Sequence, residues 1–152
     1  MSRAPYNVLV ILYRQKEPDA FEYALFLRAD LGFWQPITGG GEDDETPLQA
    51  ARRETLEEAG LNLGDAFFKL QTIEPIRVIE FGNSWRWGED LYVIPQHCFA
   101  AEVKQGDIRL SYEHTEYRWL KYAEADRLLK YDGNRTALWE LNQRLRGKGP
   151  RG

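Results

Sequence analysis

The chain has 152 residues, a net charge of −4 and a single cysteine. This length suits one domain with its own hydrophobic core, which needs neither a disulfide nor a structural metal to fold. The acidic balance argues against a dedicated nucleic-acid binder, which usually carries a basic excess. No apolar run approaches the roughly 18 residues of a membrane span. Because the N-terminus also lacks an apolar signal core, we expect a cytoplasmic protein with no membrane partner.

The first part of the chain is predicted to form strands. A run rich in Val, Leu and Ile predicts a buried strand over residues 6–13. A turn at residues 15–19 leads to a second strand over residues 22–28, and the two together predict a hairpin. Residues 33–38 are expected to be short and extended, and the three glycines at 39–41 are expected to form a turn.

The clearest helix is predicted over residues 47–59. Thr46 is a favourable N-cap, and Pro47 suits the first helical position, where its missing N–H costs nothing. Gln49 completes a capping box with Thr46. Gly60 is a C-terminal stop, because glycine tolerates the left-handed geometry found there. The predicted buried stripe of this helix consists of Leu48, Ala51, Thr55, Leu56 and Ala59.

The second part of the chain is predicted to contain strands over residues 67–81, 91–103 and 115–121 and helices over residues 122–130 and 134–146. The first two strands are expected to be interrupted at Pro75 and Pro95, and Asn134 is a candidate N-cap. Strands mixed with a few helices predict an α/β fold with a mixed β-sheet flanked by helices. We expect one domain over residues 1–147 and a flexible tail over residues 148–152.

Three glutamates lie on a different arc of the predicted helix from the apolar stripe. The i, i+3 and i+4 spacing of Glu54, Glu57 and Glu58 brings their Cβ atoms to within about 5–6 Å of one another. Like charges at this spacing repel each other unless a cation lies between them. Carboxylate oxygens suit Mg²⁺ or Mn²⁺, so the trio is a candidate divalent-cation site. The alternative is an acidic patch on a solvated helix face.

A longer pattern surrounds the three glutamates. From residue 39 to residue 61 the chain reads GGGEDDETPLQAARRETLEEAGL. This segment resembles the Nudix box, in which single glycines, a Glu, an Arg-Glu pair and a Glu-Glu pair recur at fixed spacing. Seven such matches would arise by chance on the order of once in 10⁸ starting positions, so the signal is specific. Thr55 stands where the family usually has an aliphatic residue.

The resemblance implies a Nudix fold, an α/β/α sandwich with a mixed β-sheet, and a Mg²⁺-dependent hydrolase of diphosphate linkages that also accepts Mn²⁺. By position, the metal-binding carboxylates would be Glu54, Glu57 and Glu58. Glu45 and Arg53 would form an ion pair that orients them. Either Glu54 or Glu58 would position the attacking water, and the sequence does not distinguish between them.

Shorter motifs in the same order along most of the chain resemble the dihydroneopterin triphosphate pyrophosphatases, a group also known as dATP pyrophosphohydrolases. This resemblance implies that Glu113, just before His114, completes the metal site, and that the backbone at Gly39 approaches the ion closely. His114 itself is expected to pack in the protein rather than to act as a base. Arg3, Arg28 and Thr38 match positions that contact substrate in this group. Further candidate substrate-binding residues are Glu80, Phe81, Tyr131 and Arg135, and Asn134 is expected either to line the cleft with them or to serve only as a cap.

Among these residues, the flat face of a pterin or purine suits Phe81, and its hydrogen-bonding edge suits Glu80. Trp85 and Trp87 flank Arg86 in a polar loop and are candidates for a lid. The expected partner is a small phosphate-containing molecule, bound by a monomer or a homodimer. Alternatives are a Nudix hydrolase for oxidised nucleotides, dinucleoside polyphosphates or RNA 5′ ends, and a nucleotide-binding module without catalysis.

Overall fold

The computed structural model describes residues 2–82 and 84–151. Seven strands lie within these residues: β1 Arg3–Glu17, β2 Ala20–Arg28, β3 Trp34–Gln35, β4 Ile37–Glu42, β5 Phe67–Arg77, β6 Val93–Glu102 and β7 His114–Leu120. The α-helices described are α1 Pro47–Ala59, α2 Tyr122–Leu128 and α3 Asp132–Leu145. Short 3-10 turns cover Gly64–Ala66, Val78–Phe81 and Ser84–Trp87. None of the described helices is both long and apolar enough to cross a membrane.

All seven strands belong to one mixed sheet, as the sequence predicts. The strand order is β3-β2-β1-β6-β5, with β4 also paired to β1 and β7 to β2. β1 and β6 run parallel, from the pair Asn7 and Gln96 to the pair Tyr13 and Glu102, and the other pairs are antiparallel. β4 pairs with the first part of β1 and β2 with its last part. Therefore β4 and β2 lie beside successive segments of β1.

The two faces of the sheet carry separate apolar cores. Successive strand residues point to opposite faces, so Val8, Val10 and Leu12 of β1 pack with the alanines of α1. Leu9 and Ile11 pack on the other face with α2 and α3. This arrangement gives the predicted sandwich, with α1 on one side of the sheet and α2 and α3 on the other.

Helix α1 begins and ends at the predicted residues. Thr46 accepts a hydrogen bond from the Gln49 backbone N–H at 3.2 Å, and the Gln49 side chain accepts one from the Thr46 N–H at 2.9 Å. Gly60 adopts the left-handed conformation, with φ at 69°. These start and stop signals are local, which is why the sequence predicts them well.

Other predicted elements differ from the structure. β5 and β6 run through Pro75 and Pro95, which lie opposite each other in the ladder. β5 is an edge strand, and the pairing of β6 with β1 begins only at Gln96, so neither proline removes a ladder hydrogen bond. β5 ends at Arg77. Glu80 and Phe81, predicted in a strand, lie in the following 3-10 turn.

Two expectations about caps and turns are wrong. The three glycines continue strand β4 instead of forming a turn. Asn134 is not the N-cap of α3, because that helix begins at Asp132 and its N-cap is Tyr131. The side chain of Asn134 is instead buried in the first turn of the helix, where it faces Glu74. The single domain and flexible tail stay predictions.

Candidate active site

Helix α1 separates the three glutamates into two environments. Glu54 and Glu58 are buried, with only 9% and 6% of their surface exposed, whereas the side chain of Glu57 is 56% exposed. Leu56, predicted in the buried stripe, is 53% exposed. The face of α1 that meets the sheet therefore includes the carboxylates of Glu54 and Glu58. It does not include Leu56, which the sequence predicts to be buried.

The glycines of β4 allow this close approach. A Cβ atom at Gly39 would overlap the carboxylate of Glu54, and one at Gly40 would overlap the guanidinium of Arg3. Glycine in a strand often marks a place where another group lies against the backbone. The predicted turn is thus replaced by a strand without side chains, against which Glu54 lies at Gly39 and Arg3 at Gly40.

Arg53 connects the acidic residues. Its Nε and Nη2 donate to the two oxygens of Glu45 at 2.7 and 3.0 Å, in the bidentate geometry that suits guanidinium. Its Nη1 donates to Glu54 at 2.9 Å and to Glu57 at 3.2 Å, and Nη2 also donates to the Gly40 carbonyl at 2.7 Å. Hydrogen bonds from Arg53 hold the pKa of Glu45 below its usual value.

Glu58 has no such cation beside it. Burial, together with the nearby carboxylates of Glu54 and Glu113, raises its pKa to about 9, although the charge of Arg28 opposes the shift. Burial also raises the pKa of Glu54 to about 7, although Arg53 opposes the shift. The Oε2 atom of Glu58 is buried without a hydrogen-bond partner. Glu113 is exposed and within hydrogen-bonding reach of Glu58.

These carboxylates fit a divalent cation by their chemistry. A buried, unpartnered carboxylate oxygen is costly unless a positive charge lies beside it. Across residues 2–82 and 84–151, no three Asp, Glu, His or Cys side chains are already grouped so that they could hold a metal ion together. Glu54 and Glu57 turn toward Arg53 instead. Mg²⁺ does not need a closed protein cage, since it usually keeps several waters and binds substrate phosphates.

A cleft of about 670 Å³ lies beside this acidic cluster. Gly39, whose backbone contacts the Glu54 carboxylate, also lines the cleft, so the two features are continuous. Its walls include three aromatic side chains, Phe33, Phe81 and Tyr131. Its charged and polar lining residues are Asn7, Arg28, Gln35, Thr38, Glu74, Arg77, Glu80, Gln96, Asp132 and Asn134.

Comparison with known proteins identifies this arrangement. The family model of the NUDIX domain matches residues 4–140. The chain belongs to the Nudix family. It is 38% identical over 145 residues to the asymmetrical bis(5′-nucleosyl)-tetraphosphatase of Sus scrofa, a match that covers 90% of this chain and 92% of that protein.

Solved structures agree with the family assignment. A protein of Listeria monocytogenes described as a Nudix hydrolase is 35% identical, with a TM-score of 0.84 over 96% of this chain and 99% of that one. The Escherichia coli dihydroneopterin triphosphate pyrophosphohydrolase is 26% identical, with a TM-score of 0.75 over 93% of this chain and 99% of that one. As a Nudix pyrophosphohydrolase, the chain belongs to a group of enzymes that generally use divalent metal ions on phosphate-containing small molecules.

The Nudix fold brings most of the predicted substrate residues to the cleft. Arg28, Thr38, Glu80, Phe81 and Tyr131 all line it. Two of them have ion-pair partners at the rim: Arg28 pairs with Asp30 at 2.8 Å and Glu80 with Arg77 at 3.0 Å.

Two of the predicted arginines do not line the cleft. Arg135 is paired with Asp126 of α2 at 2.9 Å and is absent from the cleft lining. Arg3 lies behind the wall in strand β1, and its guanidinium is 5.1 Å from the centre of the Phe81 ring. Arg3 therefore contacts a residue of the cleft wall without lining the cleft itself, whereas Arg135 connects two helices.

Two other predicted features have definite positions. The Trp87 indole donates to the Arg3 carbonyl at 2.7 Å and packs edge-on against Phe81, so it is joined to the sheet rather than free to swing. The side chain of Trp85, the other candidate lid residue, lies outside the described residues. His114 is buried and its ring lies 5.3 Å from that of Phe26, which agrees with a packing role.

The sequence interpretation missed a polar cluster at the floor of the cleft. Glu74 is only 8% exposed and accepts a hydrogen bond from Gln96 at 2.5 Å. Gln96 in turn accepts one from Asn7 at 2.6 Å. The cluster is visible only in the structure, where Glu74 is buried beside Ile73, which is 51% exposed, so the usual apolar-in and polar-out pattern is reversed along β5.

Proposed function

We propose that this chain hydrolyses a diphosphate linkage of a nucleoside triphosphate-like molecule, with dihydroneopterin triphosphate or dATP as substrate and pyrophosphate as product. The observation that carries the proposal is the pair of buried carboxylates on α1, of which Glu54 lies against Gly39, a residue that lines the cleft of about 670 Å³. Diphosphates resist hydrolysis because their negative charges repel nucleophiles. A site for them must therefore neutralise charge and position water.

We propose Mg²⁺ as the ion, with Mn²⁺ as a functional substitute, held by Glu54, Glu57, Glu58 and Glu113 and by the backbone at Gly39. When bound, such an ion neutralises phosphate oxygens and acidifies a water molecule. The hard carboxylate donors favour these ions over zinc or copper. The uncompensated charge around Glu58 is the feature that an added cation would relieve.

The surrounding residues keep this site in position. Glu45 accepts two hydrogen bonds from Arg53, and Arg53 holds Glu54 and Glu57. Glu54 and Glu58 are both placed to accept a proton from the attacking water. Arg28 at the cleft edge offers a guanidinium to the phosphate chain once Asp30 releases it. Thr38 adds a hydroxyl on the same wall, and Phe81 and Tyr131 provide aromatic faces for the ring.

A second candidate activity is the asymmetrical hydrolysis of a dinucleoside tetraphosphate. The relative that favours it is the Sus scrofa tetraphosphatase, which matches 90% of this chain. The E. coli pyrophosphohydrolase, whose structure aligns over 93% of this chain, favours the triphosphate substrate. The chemistry at phosphorus is the same in both cases, so the two activities differ only in what the cleft binds.

A substrate panel with product analysis tests the proposal. Dihydroneopterin triphosphate, dATP and diadenosine tetraphosphate are each incubated with the protein and Mg²⁺, and the products are separated by anion-exchange chromatography. We expect pyrophosphate and a monophosphate from one of the triphosphates at the highest kcat/KM. Faster cleavage of the tetraphosphate into two unequal nucleotides would establish the second candidate. Hydrolysis of none of them would contradict both.

A further inference from the structure

The floor of the cleft contains a buried carboxylate whose neighbours are all hydrogen-bond donors. Gln96 donates to Glu74 at 2.5 Å, and the Cys98 thiol lies 3.8 Å from the same oxygen. With its amide oriented so that the NH₂ group faces the carboxylate, Asn134 donates to both oxygens at 2.9 and 3.0 Å. Ionised carboxylates only accept hydrogen bonds, so these neighbours fit the charged form of Glu74.

The orientation of these donors is fixed from behind. Arg3 donates to the Asn7 side-chain oxygen at 2.9 Å, and Asn7 donates to the Gln96 side-chain oxygen at 2.6 Å. Since the oxygen of Gln96 is thereby occupied, its NH₂ group must point to Glu74. A continuous series of donors thus runs from the Arg3 cation to the Glu74 anion. This series favours the negative, accepting form of Glu74 and opposes the effect of burial, which raises its pKa.

Glu74 lines the cleft, and both of its oxygens can accept from a ligand there. Oε1 receives only the contact from Asn134, and at Oε2 a ligand N–H can replace the long contact of the Cys98 thiol, which has a second acceptor in the Gln96 carbonyl at 3.8 Å. Gly133, at the start of α3, also lies against Glu74, because a Cβ atom there would overlap its Oε1 atom. The glycine allows the helix to begin directly beside the carboxylate. Phe81 and Tyr131 line the same cleft, where they offer faces to a flat ring.

We propose that Glu74 is the specificity-determining residue of this cleft, and that it selects rings with two adjacent N–H donors. Guanine and pterin have such an edge, because each is a 2-amino-4-oxopyrimidine with a ring N–H beside an amino group. Adenine instead places one N–H beside a lone pair, which faces the carboxylate unfavourably. This inference rests on the proposed function and deepens it, since it favours dihydroneopterin triphosphate over dATP.

Glu80, expected from the sequence to read the ring edge, is less suited to that role. Its side chain is 54% exposed and is paired with Arg77 at the rim. A hydrogen bond made in water contributes little discrimination, whereas a buried acceptor left without its donor is costly. The deeper carboxylate therefore discriminates between rings more strongly, and Glu80 provides a matched control in the same cleft.

The test compares dGTP, dITP and dATP, which share their phosphates and differ in the ring edge. dITP keeps the ring N–H of dGTP and lacks the amino group. For the wild-type enzyme with Mg²⁺, we expect kcat/KM to fall from dGTP through dITP to dATP, by at least about tenfold overall. In Glu74→Gln most of this preference should disappear, and in Glu80→Gln it should remain. Equal turnover of the three by the wild type, or an equal loss for all three in Glu74→Gln, would overturn the inference.

A binding measurement separates this inference from the proposed hydrolysis. Calorimetric titration of the wild-type protein with dGMP and with dAMP needs no turnover and no variant. Tighter binding of dGMP would support the role of Glu74 even if no triphosphate is hydrolysed, and equal binding would overturn it. If Glu74→Gln does not fold, Gly133→Ala provides the second variant. Its methyl group should displace the carboxylate and reduce the preference for dGMP, and an unchanged preference would count against the role.

Discussion

Buried glutamates lie both in the cleft and behind its Gly39 wall, and their partners differ. On α1, Glu54 is paired with the Arg53 guanidinium, whereas an oxygen of Glu58 has no partner. Glu74 on β5 is surrounded by amide donors. Burial raises the pKa of all three. The difference shows that burial alone does not assign a role. A carboxylate lacking partners suits a cation, and one surrounded by neutral donors suits the N–H groups of a ligand.

Glu58→Gln should produce the largest effect on activity. The amide keeps the size of the side chain and removes the negative charge that we assign to the cation. We expect kcat to fall by at least about 100-fold at saturating Mg²⁺, a typical loss when electrostatic support of a transition state is removed. Steady-state hydrolysis of the best panel substrate measures it. Glu124→Gln, on the exposed surface of α2, is the control and should retain the wild-type rate. Normal turnover by Glu58→Gln would show that the α1 carboxylates lack the catalytic role that distinguishes them from Glu74.

Arg53→Lys should weaken the acidic cluster while keeping its charge. Lysine cannot reproduce the bidentate contact with Glu45 or reach Glu54 and Gly40 at the same time. We expect the free energy of unfolding to decrease by about 1.5–3 kcal/mol, the usual range for hydrogen bonds to charged groups. Urea denaturation measures the change. Arg144→Lys, in an ion pair on α3 whose arginine side chain is 41% exposed, should lose far less, and equal losses in the two variants would show that the cluster is not specially organised.

The pH dependence of stability distinguishes the acidic cluster further. The folded-state pKa values of Glu54 and Glu58 are raised to about 7 and about 9 from 4.5. Between these values the folded protein holds protons that the unfolded chain has released, so stability falls as pH rises. Without divalent ions, we therefore expect the wild-type Tm to fall relative to that of Glu58→Gln from pH 5 to pH 9. Differential scanning calorimetry measures both, and added Mg²⁺ should reduce the gap. If the Tm values of the wild type and Glu58→Gln changed in parallel with pH, the raised pKa of Glu58 would be contradicted.

Arg135→Ala should have the smallest effect on activity. Its guanidinium pairs with Asp126 and does not line the cleft, so it has no contact with a ligand there. We expect kcat/KM to stay within about twofold of the wild-type value, with a small loss of stability typical of an exposed ion pair. A decrease in kcat/KM as large as that caused by substituting a residue of the cleft would support the substrate-binding role that the sequence resemblance implies.

Local signals were sufficient for the predicted helix and its glutamates. Thr46 and Gly60 lie directly at the two ends of α1. The spacing of Glu54 and Glu58 alone places them on one face of this helix. The mixed sheet flanked by helices followed from the pattern of strands and helices, and the three-layer arrangement followed from the resemblance to the Nudix family. The strands and helices themselves depend on residues that are close together in the chain.

Features that depend on distant residues were not predictable in this way. The strand formed by the glycines arises from the pairing of β4 with β1, and the burial of Glu54 arises from the contact between α1 and β4. Glu74, Gln96 and Asn134 come from three separate segments and meet only in the folded protein. In the folded protein, Ile73 is exposed beside the buried Glu74, so the usual burial of apolar and exposure of polar side chains is reversed at this point of β5.

A titration of Mn²⁺ followed by electron paramagnetic resonance tests the central claim most directly. The free-ion signal is measured as wild-type protein is added, and then with the double variant Glu54→Gln and Glu58→Gln. We predict that the wild-type protein removes the free-ion signal in proportion to its concentration and that the double variant does so far more weakly. Equal binding by the two proteins, with both folded, would contradict the assignment of the α1 carboxylates as the cation site.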